Sequence, residues 1–283
     1  MGLAPEAHSG SMAPTTSMGP LAPEAPVTNG APTPLLEPLY GWADPDGSPH
    51  RPTAREVLAE WLDALDCVRT PQRLYGLVTL VFHAATLVAF VVFVAGYRSP
   101  GTVVFFLVAS VLLVTVYNTV WLHRYCVHHA FDFTKPSMTR LFLWTNPLGF
   151  REESYIFAHQ RHHERPDEAG DPYGPHLGFW GSYLAIESIQ KFDPDLSPRD
   201  YARCLRRIEH IGLATYDHAD YRRHAAIEQL GPMVARTLFA QTFWALPIWA
   251  LAGAEGLTAW YAAIFLVMFA MRSFNYWGHG RRE

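Results

Sequence analysis

Four runs without a charged side chain limit the architectures open to this sequence. Between Arg73 and Arg98 there are 24 consecutive residues without Asp, Glu, Lys or Arg, and between Arg98 and Arg124 there are 25. A second pair runs from Thr237 to Met271, interrupted only by Glu255. At 1.5 Å per residue, each run is about long enough to cross roughly 30 Å of hydrocarbon. A fold with one core in water seldom needs four of them. The average over the chain, 49% hydrophobic with net charge −4, fits a soluble globule just as well, so the distribution decides. The expected fold class is an all-α integral membrane protein.

Turn signals set the connectivity. Arg98-Ser99-Pro100-Gly101 separates helices expected at 74–96 and 101–122, and Gly253-Ala254-Glu255-Gly256 separates helices expected at 234–252 and 257–277. Short turns make antiparallel neighbours, so four transmembrane helices in two hairpins are predicted. Lys and Arg concentrate in the N-terminal segment, in residues 123–232 and after Met271, all on one side of such an arrangement. The positive-inside rule makes that side cytoplasmic, so the N-terminus and a helical histidine-bearing cap face the cytoplasm. Two lysines beside twenty arginines, with abundant alanine, suggest a GC-rich bacterial genome and a multi-pass protein of the bacterial plasma membrane.

Residues 1–50 read as a disordered Pro/Ala-rich tail, with eight prolines in the first 40 positions and no apolar periodicity. Residues 51–70 read as an amphipathic helix capped by Thr53, with Val57, Leu58, Trp61 and Leu65 at helical spacing. Residues 71–283 form the membrane domain. There is no basic stripe, so no nucleic-acid partner is expected. Cys67, Cys126 and Cys204 are scattered, which argues against a disulfide framework or a structural zinc site.

Histidine is the outlier, with fourteen copies. One cluster is HRYCVHH, holding His123, His128 and His129; another is HQRHH, holding His159, His162 and His163. On a helix, steps of three and four residues turn about 300° and 400°, so the second cluster projects from one face. The five-residue step from His123 to His128 leaves them about 140° apart on an α-helix. They converge only from different sides of a site or where the helix frays. His279 follows the last helix, with Asn275 one turn before it. Imidazole suits zinc, copper and iron, and six or more histidines exceed the need of one tetrahedral zinc. Two metals with open positions would use such a shell. His83 reads as a packed or interhelical hydrogen-bonding residue, and His176, His210, His218 and His224 as surface residues.

HRYCVHH, HQRHHERPDEAGDPYGP and FNYWGHG resemble parts of the membrane fatty-acid desaturases, particularly the acyl-CoA desaturase-like branch, from about Pro71 onward. The resemblance implies a diiron enzyme that uses dioxygen and two electrons to place a double bond in a long acyl chain. It implies two iron ions held by His123, His128, His159, His162, His163 and His279, with Asn275 reaching one through water. His129 stands where relatives often have arginine. Asp167 and Asp171 fall in the extension of the second box, as acceptors that orient imidazole N–H groups. No catalytic residue beyond the metal ligands is implied. The family carries a third HxxHH box beyond the last helix, so a C-terminally truncated chain of doubtful activity is expected. The implied partners are a long-chain acyl substrate carried by coenzyme A, acyl carrier protein or a lipid, and an external ferredoxin or cytochrome b5-like electron donor with its reductase. Rival readings are a histidine-box lipid or carotenoid hydroxylase or ketolase, a metal-binding or metal-transporting membrane protein, and an inactive scaffold.

Overall fold

The computed structural model describes residues 35–36, 50–64, 74–97, 99–164, 166–168, 171–185 and 191–278. Among these the architecture is helical. The exceptions are the antiparallel pairing of β1 (Leu35–Leu36) with β2 (Lys191–Phe192) and an isolated bridge between Thr215 and Glu228. The remainder of the expected 1–50 tail lies outside the described residues.

Helix α1 (Ala54–Ala64) begins with a reciprocal capping box. The Glu56 N–H donates to Thr53 Oγ1 (3.3 Å), and Thr53 N–H donates to Glu56 Oε2 (2.7 Å), so two otherwise unpaired donors are satisfied. Val57 turns inward while Leu58 stays exposed, which narrows the expected apolar stripe; Leu65 lies outside the described residues. Helix α2 (Leu74–Gly96) leads to α3 (Pro100–Leu112), which Ser99 caps by accepting from Thr102 N–H. The chain then continues without a break as a π-helix over Leu113–Val127.

Among the described residues three helices are long and apolar enough to cross a membrane: Gly76–Gly96, Pro100–Val127 and Leu230–Phe274. The last belongs to α9 (Leu230–Gly278), whose helical path breaks at Gly253 (φ 61°, ψ −156°). That break falls where a turn between two separate spans is expected. Val88 and Val94 on α2, Val104 and Val111 on α3, and Leu246 and Trp249 on α9 face outward. A continuous apolar exterior of this kind suits lipid and would be an association hazard in water. Facing inward, Phe93 stacks on Phe106 at 4.7 Å and Phe90 lies 5.1 Å from Phe265. Ala259, Ala262 and Ala263 are fully buried; such small side chains let membrane helices approach closely. Glu255 accepts hydrogen bonds from Ser99 Oγ and Thr102 Oγ1. The turn between α2 and α3 therefore meets the break in α9.

The polar region folds as α4 (Pro136–Thr145), α5 (Glu152–Glu164), α6 (Gly178–Ala185), α7 (Pro198–Ile208) and α8 (His218–His224). A buried ionic cluster joins this cap to the start of α9. The Arg236 guanidinium donates to Glu152 Oε2 and to both Glu228 oxygens, the latter at 2.9 Å. Glu152 Oε1 also accepts from Asn146 Nδ2 (2.9 Å) and Trp121 Nε1 (3.3 Å). Glu153, wholly buried, pairs with Arg151 at 3.4 Å. Burial and then the nearby Glu153 charge push the Glu228 carboxyl well above its ordinary range, against the pull of Arg236.

Gly149 adopts a left-handed backbone (φ 70°), and a Cβ there would lie 2.5 Å from the Phe82 ring. Gly149→Ala therefore combines backbone strain with a clash, at an expected cost of about 2–4 kcal/mol. Gly212 has a similar φ of 77° with nothing within 4 Å of its would-be Cβ. Gly212→Ala reads the strain alone, so its melting temperature should fall less; equal losses would contradict the clash.

Candidate metal centre

Four histidines converge. One ring nitrogen from each of His123, His128, His159 and His163 lies within 4.8 Å of the others. His123 lies in the π-helix, His128 caps its C-terminal end, and the other two come from α5. Helix α5 behaves as its spacing predicts: His159 and His163, four residues apart, bring their Nε2 atoms to 3.1 Å. The other pair depends on the π geometry, which corrects the expectation of opposed or frayed positions. A π turn closes on i→i+5 hydrogen bonds and is wider than an α turn, so residues five apart lie little more than one turn apart and much nearer one face than on an α-helix. His128 N–H donates to His123 O at 3.2 Å, a bond of that kind, and the two Nε2 atoms lie 3.3 Å apart. Across the two helices the His123 and His159 rings are 5.0 Å apart, as are those of His128 and His163.

The donor set fits a metal ion. Tetrahedral nitrogen ligands at about 2.0–2.1 Å from an ion are roughly 3.4 Å from one another, close to the two Nε2–Nε2 separations here. Burial, then the neighbouring imidazoles of His163, His123, His162 and His128, lower the pKa of His159 from 6.5 to about 2. His159 thus stays a neutral ligand. The linkage has a definite sign, because the unfolded residue takes a proton near 6.5 and the folded one does not. The stability this contributes to the ion-free protein is lost only on acidification, in the window below about pH 6.5. The melting temperature should fall between pH 8 and 5, with a shallower slope in His159→Asn; identical slopes would contradict the assignment.

His162 stands beside the quartet rather than in it. Its Nδ1 lies 2.9 Å from both oxygens of Asp171, and its ring is 5.9 Å from that of His163. Asp171 is wholly buried and also accepts from Asp167 N–H (2.8 Å) and Tyr173 N–H (2.9 Å). Asp171 thus lies against the His162 ring nitrogen, while Asp167 contributes its backbone N–H from a left-handed conformation (φ 63°). His129 turns away: its Nε2 pairs with Asp132 Oδ1 at 2.7 Å and its ring stacks on His210 at 4.2 Å. The Asn275 side chain and all of His279 lie outside the described residues.

Several histidines expected on the surface are partly enclosed. His210 is half-buried with Nε2 3.2 Å from Tyr125 O, His218 Nε2 lies 2.9 Å from Leu196 O, and His224 stacks on Tyr216. His176 packs so tightly over Gly174 that a Cβ there would lie 2.3 Å from its Nδ1. His83, as expected, reaches across helices, with Nε2 2.9 Å from Tyr183 Oη.

Beside the quartet lies a cavity of about 380 Å³ into which His123 and His159 project, walled mainly by apolar side chains including Val114, Phe150, Met271 and Phe274. Of the aromatic residues near the helix ends, Phe150 and Phe274 line it, whereas Trp121 is buried against Glu152 and Trp277 is exposed. Among the described residues one that lines it carries a formal charge, Arg272. It was not legible as a site residue, because a lone arginine ending an apolar run reads as an interfacial anchor. No family model, curated protein or solved structure matches this chain.

Proposed function

We propose that this chain is a multi-pass membrane oxidoreductase that desaturates a long-chain fatty acyl group at a histidine-held iron centre. The observation that carries the proposal is the convergence of four imidazoles at the wall of an apolar cavity. The Gly253 break and the Glu255 contacts with Ser99 and Thr102 support four spans in two hairpins, and the distribution of Lys and Arg supports a cytoplasmic histidine cap.

Within this reading His123, His128, His159 and His163 hold one iron. His162, oriented by Asp171, is the protein-side ligand toward a second, completed by His279 and by Asn275 through water. Iron so bound supplies the activation of dioxygen with electrons from an external ferredoxin or cytochrome b5-like donor. The chain's own residues do the rest. The apolar cavity wall excludes water and holds a methylene pair at a fixed distance from the quartet, a positioning effect worth several orders of magnitude in rate. Imidazoles add no negative charge, so the centre stays electropositive.

Asp171→Asn is expected to weaken iron binding about 10- to 100-fold. The amide nitrogen would face either His162 or one of two backbone N–H donors. Unchanged affinity would remove Asp171 from the centre. The function is tested by supplying the reconstituted chain with iron, a reductant, dioxygen and acyl substrates of each carrier type. A product lighter by two hydrogens is expected. A product heavier by one oxygen would move the protein to the hydroxylases or ketolases, and a chain that takes up no iron would overturn the proposal.

A further inference from the structure

We infer that the groove between α1, α6 and the first turns of α2 binds one anionic phospholipid of the surrounding bilayer, with an acyl chain along α1 and the phosphate at Arg51. The inference is independent of the metal reading and needs only the membrane spans.

The amphipathic pattern of α1 creates the groove. Ala54, Val57, Leu58 and Trp61 fall at i, i+3, i+4 and i+7, one face of a helix, and all four line a cavity of about 520 Å³. Protein covers that face only in part: Val57 is buried, whereas Leu58 is 59% exposed. The facing wall is Phe179 and Trp180 of α6, the latter 67% exposed, together with Leu80 of α2. Leu80 lies four residues into the span that begins at Gly76. Exposed tryptophans such as Trp180 and Trp277 sit at the head-group level of a bilayer. The groove therefore meets the bilayer where head groups give way to acyl chains, and its volume is within the range of ligand clefts. A lipid chain is the apolar partner available at that depth. Laid along α1, it takes Leu58 and Trp180 out of interfacial water.

Charge selects the lipid. Among the described residues Arg51 is the one lining the groove that carries a formal charge. Its guanidinium lies over Gly178, where a Cβ would come within 3.1 Å of Nε and 3.2 Å of Nη2. Any side chain at Gly178, whose backbone is left-handed (φ 68°), would push the guanidinium from the mouth. Gly178 also opens α6, so the positive end of that helix dipole and the guanidinium share one mouth. A cation is unfavourable at a helix N-terminus, and an anion placed there is attracted by both. A guanidinium fork matches two phosphate oxygens, and basic side chains at a membrane surface draw anionic head groups toward them.

The test places photoreactive p-benzoylphenylalanine at Leu58 of the full chain, in nanodiscs of phosphatidylglycerol and phosphatidylcholine with identical acyl chains. Cross-linked species are identified by mass spectrometry. The same probe at Leu246, 60% exposed on the outer side of α9, reads the bulk lipid composition. Adducts at Leu58 should be phospholipid, enriched in phosphatidylglycerol about 5-fold over those at Leu246. Arg51→Gln should return the ratio at Leu58 to the bulk value. Ala54→Trp, which fills the groove, should suppress lipid adducts at Leu58 and leave those at Leu246 unchanged. Lipid of bulk composition at Leu58 would overturn the inference without any Arg51 variant, and so would an enrichment that survives Arg51→Gln. Adducts with a second copy, or with the chain's own N-terminal segment, would give the groove to a protein occupant and overturn it as well. None of these outcomes involves iron, so this inference and the metal reading fail separately.

Discussion

Arg236→Met is expected to destabilise the protein by about 3–5 kcal/mol, the cost of breaking a buried ion pair from one side. Against a total stability of roughly 5–15 kcal/mol, much of the folded population would be lost. The size follows from what remains. Glu152, Glu153 and Glu228 are at most 1% exposed, and Arg236→Met removes the guanidinium that pairs with both Glu152 and Glu228. Arg236→Lys should be intermediate, since an ammonium cannot reproduce the paired hydrogen bonds to Glu228. Adding Glu152→Gln and Glu228→Gln to Arg236→Met should recover part of the loss, because the uncompensated charges go with the cation. Thermal unfolding in a fixed detergent checks the series. A single variant as stable as wild type would mean that the cluster does not hold the cap to α9.

The second large effect is expected at His159. Structural four-ligand sites bind ions with about 10–16 kcal/mol in total, so one ligand of four is worth on the order of 3 kcal/mol, or about 100-fold in affinity. His159→Ala should lose at least that much, because its ring faces those of His123, His128 and His163 at 5.0, 5.8 and 4.7 Å. His129→Ala is the matched control. Its ring is occupied by Asp132 and His210, and iron affinity should not change although it belongs to the same sequence cluster. Equal losses in the two variants would refute the geometry of the site.

Much of the scaffold was legible because charge is expensive in hydrocarbon. The charge-free runs located α2, α3 and both arms of α9, and the Gly253-to-Gly256 turn signal fell on the one non-helical residue inside α9. The Thr53 cap and the His159–His163 pair were legible because each depends on contacts within one turn. What escaped depends on contacts between distant segments or on a departure from α geometry. Nothing in Leu113–Val127 announces a π-helix, so the five-residue step from His123 to His128 looked like a misfit when it is the hydrogen-bond step of that helix. Arg236 and Glu152 are 84 residues apart in sequence, and no periodicity pairs them. His162 leaves the quartet because Asp171, fixed by two backbone N–H donors, holds its Nδ1. Arg272 borders the cavity beside the quartet through contacts between distant segments that no periodicity announces.

The most direct test of a histidine-held iron centre is anaerobic titration of the reconstituted protein with ferrous iron. It would be followed by metal analysis and X-ray absorption of the bound ion, in wild type and His159→Ala side by side. The expected result is at least one tightly bound iron per wild-type chain with a nitrogen-dominated imidazole shell, and loss of that species in His159→Ala. Wild-type protein that binds no iron, or iron whose affinity and spectrum are the same in His159→Ala, would contradict it.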